Sequence, residues 1–263
     1  MNSDQSRSEG KNTVEAVSTT LSILEILQEL GGAGVTVISN RLDCSKGTVH
    51  NHLSTLRAND YVAKDEDDVY HLGLRFIEVS HQANQRIKIL DLVQEQIQNL
   101  AEQSGELALF KVEEHGLGIC IGMAEGENAV HTPVHVGYRS TLHDTAVGKA
   151  MLAHLSPERV DRIIAQRGLP RMTENTITDR EDLLEELEQV RNDEFATNSS
   201  ETIGGLVGIG APVLDQDSTV VGGISIIGPE SRLDDDGDYE QIAQEIQQAI
   251  NVIEINSTSI ASR

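Results

Sequence analysis

Residues 35–73 read VTVISNRLDCSKGTVHNHLSTLRANDYVAKDEDDVYHLG, and this stretch decides the architecture of the N-terminal part. Val49, Leu53 and Leu56 recur at helical spacing behind Ser45, whose hydroxyl suits a helix start. They predict a helix over 45–59. Asp43 and Cys44 read as the turn before it, and Thr36 as the N-cap of a short helix over 37–42. Downstream, the runs 61–64 and 69–72 flank a polar tip at 65–68, which predicts a hairpin. Upstream, Val14, Val17, Leu21, Leu24, Ile26, Leu27 and Leu30 predict a first helix, stopped by Gly31, Gly32 and Gly34. Helix, helix, turn, helix and hairpin within about 60 residues is the plan of a winged helix-turn-helix.

The rest of the chain reads differently. Residues 74–85 predict a short connecting helix and 89–103 an amphipathic one, with Leu92, Val93, Ile97 and Leu100 inward. Apolar strand-like runs follow at 107–112, 118–124 and 129–136. Helices are expected over 146–154, 157–167 and 180–192, then strands over 206–214 and 220–227, then a last helix over 238–255. Strands, helices and strands again make a mixed α/β (α+β) domain. The expected divisions are a polar tail over 1–12, a winged helix-turn-helix domain over 13–73, a linker helix over 74–88 and a second domain over 89–263.

Acids outnumber bases 43 to 20 in 263 residues, for a net charge of −23. Lysine contributes 6 of the bases and arginine 14, and aromatics are 3%. The acid is spread along the chain and is not gathered in a tail. That is the surface of a protein kept soluble in concentrated salt, and it speaks to solubility before it speaks to partners. The longest apolar stretches fall far short of the roughly 20 residues that span a bilayer, and the N-terminus has no apolar signal core, so a cytoplasmic protein without a membrane partner is expected. Cys44 and Cys120 fit no zinc or redox spacing and read as two unpaired thiols.

The helix over 45–59 carries the clearest functional signal. With Val49, Leu53 and Leu56 inward, Gly47, His50, Asn51, Ser54 and Thr55 lie on the outer arc, and Lys46 and Thr48 on the exposed first turn. Small and hydrogen-bonding residues on that face suit a helix in a major groove. Over 36–64 the bases Arg41, Lys46, Arg57 and Lys64 exceed the acids Asp43 and Asp60, against the sign of the whole chain. Ser45, Lys46, Thr48, His50, Asn51, Thr55, Arg41 and Arg57 are therefore the candidate DNA-contacting residues, and double-stranded DNA the expected partner. The tip Asp65-Glu66-Asp67-Asp68 fits worst, because a wing entering a minor groove usually carries cations. A small-molecule sensor or scaffold without sequence-specific DNA binding is the alternative.

From about Thr13 to Ile253 the sequence resembles the IclR family of transcriptional regulators. The likeness rests on Lys46-Gly47-Thr48-Val49-His50-Asn51-His52-Leu53, on Tyr70-His71-Leu72-Gly73, and above all on Leu142-His143-Asp144-Thr145-Ala146-Val147-Gly148-Lys149-Ala150-Met151-Leu152-Ala153. Glu201, Gly205-Leu206, Ile209-Gly210-Ala211-Pro212-Val213 and Gly223-Ile224-Ser225-Ile226-Ile227-Gly228-Pro229 follow in family order. The resemblance implies a winged helix, a linker helix and a GAF-like effector-binding domain. It also implies homodimers, or homotetramers, on palindromic operators. Leu24, Ile77 and Val79 are expected among the apolar positions that such an assembly covers.

The same resemblance implies a small effector between the sheet and the start of the helix in the His-x-x-x-x-Gly-Lys motif. That places the backbone N–H groups of Ala146 and Val147 at the site, and free N–H groups at a helix start attract anions. Matching positions add Asn198, Gly208, Ser225 and Ile227. Only Ser225 keeps a matching hydroxyl, which argues against a small keto acid. Asp144 stands where the family often has a small residue, and is expected to cap this helix itself or to contact the effector.

No enzyme constellation emerges. Gly148-Lys149 lacks the upstream Gly and the following Ser/Thr of a phosphate-binding loop. His131, His135 and His143 could suggest a metal, but on an expected strand His131 and His135 would stand about 13 Å apart, too far to share one ion without a bend. No catalytic residue, metal or cofactor is expected.

Overall fold

A computed structural model of the chain describes residues 13–233 and 238–261. The tail expected over 1–12 lies outside the described residues. The chain forms two compact units, one running to Arg86 and one from Ile87.

In the first unit, helices α1 (Glu15–Leu30), α2 (Val35–Leu42) and α3 (Lys46–Ala58) are followed by strands β1 (Val62–Lys64) and β2 (Tyr70–Leu72) and helix α4 (Arg75–Asn84). The core packs Ile23, Ile26 and Leu27 of α1 against Ile38, Val49, Leu53 and Leu56, closed by Val62 and Tyr70 of the hairpin. β1 and β2 pair antiparallel, Ala63 opposite His71, and Ala33 makes one further bridge to Tyr70. Thr20 Oγ1 and His52 Nδ1, 2.8 Å apart, tie α1 to α3.

Three details differ from expectation. The apolar residues of α1 divide between two faces. Ile23, Ile26 and Leu27 are buried, whereas Val14, Val17, Leu21 and Leu30 are exposed. Leu24 is half-buried against the same core, while Ile77 and Val79 of α4 are exposed as expected. Thr36 is no cap. The helix begins one residue before it, because the Gly34 carbonyl already accepts from Val37 and Ile38.

In the second unit, helices α5 (Leu90–Ser104), α6 (Ala146–Ala153), α7 (Pro157–Arg167), α8 (Arg180–Asp193), α9 (Glu230–Leu233) and α10 (Asp238–Ala261) surround a six-stranded sheet. Its strands are β3 (Leu107–Glu114), β4 (Leu117–Glu125), β5 (Arg139–Ser140), β6 (Ala196–Ser199), β7 (Leu206–Leu214) and β8 (Val220–Pro229), in the order β5-β4-β3-β8-β7-β6. Every neighbouring pair is antiparallel. Strand residues alternate between faces, so Phe110, Ile224 and Ile226 join α5 and α10 on one side. Leu107, Leu109 and Cys120 join α6, α7 and α8 on the other.

The run 129–136 is not a strand. Pro133 supplies no ladder N–H, and Gly137 takes a left-handed conformation with φ of 93°. Pairing resumes only at Arg139 and Ser140, opposite Ile119 and Gly118. His131 and His135 therefore sit in an irregular segment, and the strand argument about their spacing lapses. The short strand β6 went unread in the sequence, yet it carries Asn198 to the start of α6.

Candidate effector cavity and recognition helix

Local chemistry fixes α3 where the sequence placed it. Ser45 adopts an extended backbone and its Oγ accepts from Thr48 N–H at 3.0 Å, satisfying one of the free donors of the first turn. Thr48 Oγ1 lies 2.9 Å from the same oxygen. Ser45, Lys46, Thr48, His50, Asn51 and Thr55 are all exposed on the side away from Val49, Leu53 and Leu56. Thr55 Oγ1 donates back to the Asn51 backbone carbonyl. Arg57 is exposed at the far end of α3. Arg41 also faces solvent, but its guanidinium donates to Glu29 Oε2 at 2.5 Å, so its charge is partly compensated.

Two of the four acids at the hairpin tip, Asp65 and Asp68, are compensated from within. Lys64 pairs with Asp68. Asp65 Oδ1 accepts from Asp67 and Val69 N–H, and Asp65 Oδ2 lies 2.9 Å from His71 Nε2. His71 Nδ1 lies 2.9 Å from the Gly31 carbonyl. Both ring nitrogens thus face acceptors, which the doubly protonated imidazolium satisfies. The Asp65 carboxylate and then the Gly31 carbonyl hold the His71 pKa above 6.5. His71 and the Val69 N–H together hold Asp65 below 3.8.

In the second unit, α6 starts at the sheet. Thr145, with extended backbone, is its N-cap, and its Oγ1 accepts from Gly148 N–H at 3.2 Å. Asp144 is not the cap. Its carboxylate accepts from Thr141 Oγ1 at 2.6 Å, and its carbonyl accepts from Asn198 Nδ2 at 2.5 Å and from Thr202 Oγ1. The side chain lies outside the lining of the cavity next to it. Gly210 lets the helix start approach the sheet, since a Cβ there would stand 2.7 Å from Val147 N.

That cavity is small, about 70 Å³. Its walls include Ala146, Val147, Asn198, Gly208, Ser225 and Ile227, so the structure brings together six of the seven expected effector residues. Pro133, Val134 and Tyr138 close it from the irregular segment, Ile203 from the approach to β7, and Leu206 and Val207 from the first residues of that strand. Most of the lining is apolar. Asn198 positions rather than offers groups. Its amide nitrogen donates to Asp144 O and Thr202 Oγ1, and its oxygen accepts from Glu201 N–H.

Two polar groups were hidden or under-read in the sequence. Ser225 Oγ is buried with no hydrogen-bond partner. Lys111 of β3, 2% exposed, also lines the cavity, and burial pushes its pKa below 10.5. Only strand pairing reveals this lysine, because a single charged residue near the end of an apolar run reads as solvent-facing. Lys149, the lysine of the motif, faces elsewhere. It donates to Glu186 Oε1 and Glu201 Oε1, each at 2.7 Å, and joins α6 to α8 and to the segment after β6. Among the described residues no group of three or more His, Cys, Asp or Glu could hold a metal ion. No helix there is long and apolar enough to cross a membrane.

Comparison with known proteins agrees with both units. Residues 16–66 match the IclR helix-turn-helix domain and residues 81–254 the C-terminal domain of bacterial IclR transcriptional regulators. The chain is 30% identical over 245 residues to the "Probable HTH-type transcriptional regulator ArcR" of Halobacterium salinarum, covering 92% of this chain and 93% of that one. It is 32% identical over 234 residues to the HTH-type transcriptional regulator KdgR of Dickeya chrysanthemi, covering 87% and 76%. In fold it resembles an IclR homologue from Microbacterium hydrocarbonoxydans complexed with 4-hydroxybenzoate, with a TM-score of 0.82 at 18% identity over 93% of this chain and 99% of that one. The acidic composition accords with the haloarchaeal relative. An exposed, polar third helix in one unit and an α6-walled cavity in the other thus belong to a member of the IclR family of DNA-binding transcriptional regulators.

Proposed function

We propose that this regulator's operator affinity is set by a small molecule held in the α6 cavity, and that it controls a catabolic pathway for a sugar, sugar acid or aromatic compound. The observation that carries the reading is the cavity itself. It is mostly apolar and bounded by a helix start, and Ser225 Oγ in its wall lacks a partner. A buried hydroxyl without a partner costs about 1–3 kcal/mol, a cost that a bound ligand relieves. The 4-hydroxybenzoate complex of the Microbacterium homologue supports a small-molecule role for this fold. A ligand there shifts DNA binding only by its unequal affinity for the two conformations, typically about 1–3 kcal/mol.

On this reading residues 13–73 bind DNA, 74–88 connect, and 89–263 hold the effector. Ser45, Lys46, Thr48, His50, Asn51 and Thr55 face the major groove, with Arg41 and Arg57 beside the phosphates. Ala146, Val147, Gly208, Ser225 and Ile227 contact the effector, Asn198 holds the walls, and Asp144 acts from behind them. The protein works in the cytoplasm as a homodimer or homotetramer on a palindromic operator. A first unit of this size cannot cover Val17, Leu21, Ile77 and Val79 by itself.

The test is selection of operator fragments from the source genome by the full-length protein in concentrated KCl. Titration of the selected site with catabolites of the genes beside it follows. A specific site whose affinity one of these compounds changes about 5-fold or more is the expected result. Sequence-independent binding, or a specific site indifferent to every compound, would refute the effector-controlled reading.

A further inference from the structure

We infer that Lys111 is the anion anchor of the α6 cavity, the residue that pairs with the single negative charge of the molecule held there. The inference rests on the effector reading above and adds the residue that recognises the ligand's charge.

Lys111 is buried to the same degree as the hydrophobic core, and it makes no ion pair among the described residues. Its Nζ donates one hydrogen bond, to Ser140 Oγ at 2.8 Å, and lies 6.0 Å from the centre of the Tyr138 ring. An ammonium has three donors, so two remain for whatever occupies the cavity. The other lysine buried nearby contrasts with it, since Lys149 is held by two carboxylates. Asp144 acts on Lys111 only through space and gives its carboxylate to Thr141.

The cross-strand partners of Lys111 are Gly223 on β8 and Cys120 on β4, neither of which offers it a carboxylate. Leu109, two residues before Lys111 on β3, pairs with Ser225. Lys111 and the unpartnered Ser225 hydroxyl therefore lie on one face of the sheet, beneath the start of α6.

A lone ammonium in an apolar wall loses its hydration without compensation unless an anion joins it. One cation matches one negative charge, which favours a carboxylate over a multiply charged phosphate. The apolar remainder of the lining, Val134, Tyr138, Leu206 and Ile227 among it, suits a short hydrocarbon or ring better than a polyol.

The experiment is calorimetric titration of the full-length protein, in constant concentrated KCl, with propionate, isovalerate, benzoate and 4-hydroxybenzoate, each beside its neutral amide, and with inorganic phosphate. At least one acid is expected to bind about tenfold or more tightly than its amide. That preference should fall to within about twofold in Lys111→Met and persist in part in Lys111→Arg, both checked for folding by circular dichroism. No binding by any acid, equal binding of acid and amide, an undiminished preference in Lys111→Met, or phosphate binding as tightly as the acids would each overturn the assignment. Operator affinity measured alongside separates the two readings. A Lys111-dependent acid that leaves operator affinity unchanged supports the anchor and sinks effector control. An amide that shifts operator affinity equally in wild type and Lys111→Met sinks the anchor and leaves effector control standing.

Discussion

Lys149 Nζ donates to Glu201 Oε1 at 2.7 Å, with the lysine 1% exposed, and so joins the middle of α6 to the segment between β6 and β7. Glu186 Oε1 of α8 accepts from the same nitrogen. The second Glu201 oxygen has no partner, and burial pushes this carboxyl above 4.5 despite the lysine beside it. The glycine-lysine pair that superficially suggests nucleotide chemistry is thus a buried structural tie. Removing one partner of a buried pair leaves an uncompensated charge. Lys149→Met is expected to destabilise the second unit by about 3–5 kcal/mol, and the double variant Lys149→Met/Glu201→Gln by less. Denaturant unfolding at fixed salt measures both, and equal losses would mean that the stranded Glu201 charge is not the source of the loss.

The approach of α6 to the sheet depends on Gly210. An alanine there would set its Cβ 2.7 Å from Val147 N and 3.1 Å from Ala146 C, both backbone atoms that cannot swing away. Gly210→Ala should cost about 1–3 kcal/mol by overpacking and displace the cavity wall. A crystal structure with α6 unmoved and a Tm equal to that of the wild type would contradict this.

The hairpin has its own pH window. His71 has a folded pKa above its unfolded 6.5, so its contribution is complete below 6.5 and is lost as pH rises through the folded value. Asp65 has a folded pKa below its unfolded 3.8, so its contribution is present above 3.8 and is lost as pH falls through the folded value. The Asp65–His71 contact should therefore hold between these limits. NMR titration is expected to place His71 above 6.5 in the wild type and to return it to the ordinary histidine range in Asp65→Asn. A titration unmoved by that substitution would exclude the ion pair in solution.

DNA recognition by α3, as proposed, is expected to separate into two kinds of contact. Asn51→Ala should weaken the cognate operator by about 1–3 kcal/mol and relax one base position. Lys46→Ala should weaken all sequences similarly and lower the salt dependence by about one phosphate contact. Binding assays at several KCl concentrations distinguish them. Unchanged affinity in both variants would take α3 out of the groove.

The sequence alone determined what depends on neighbours along the chain. Ser45 with Val49, Leu53 and Leu56 placed α3 and its outward face, because a helix repeats every 3.6 residues and its cap is local. The apolar runs of β7 and β8 set those strands in the same way. Matching motif positions also named six residues of the cavity wall. Tertiary structure decided the rest. Thr145 and Asp144 are adjacent and both can cap, and only the Thr141, Asn198 and Thr202 contacts draw Asp144 away. The apolar run 129–136 had strand composition but no partner along most of its length, so it became a wall of the cavity instead. Lys111 and Lys149 look alike in sequence. One meets two carboxylates and the other a serine and an apolar chamber, because side-chain environment is set by strands and helices brought together from distant parts of the chain.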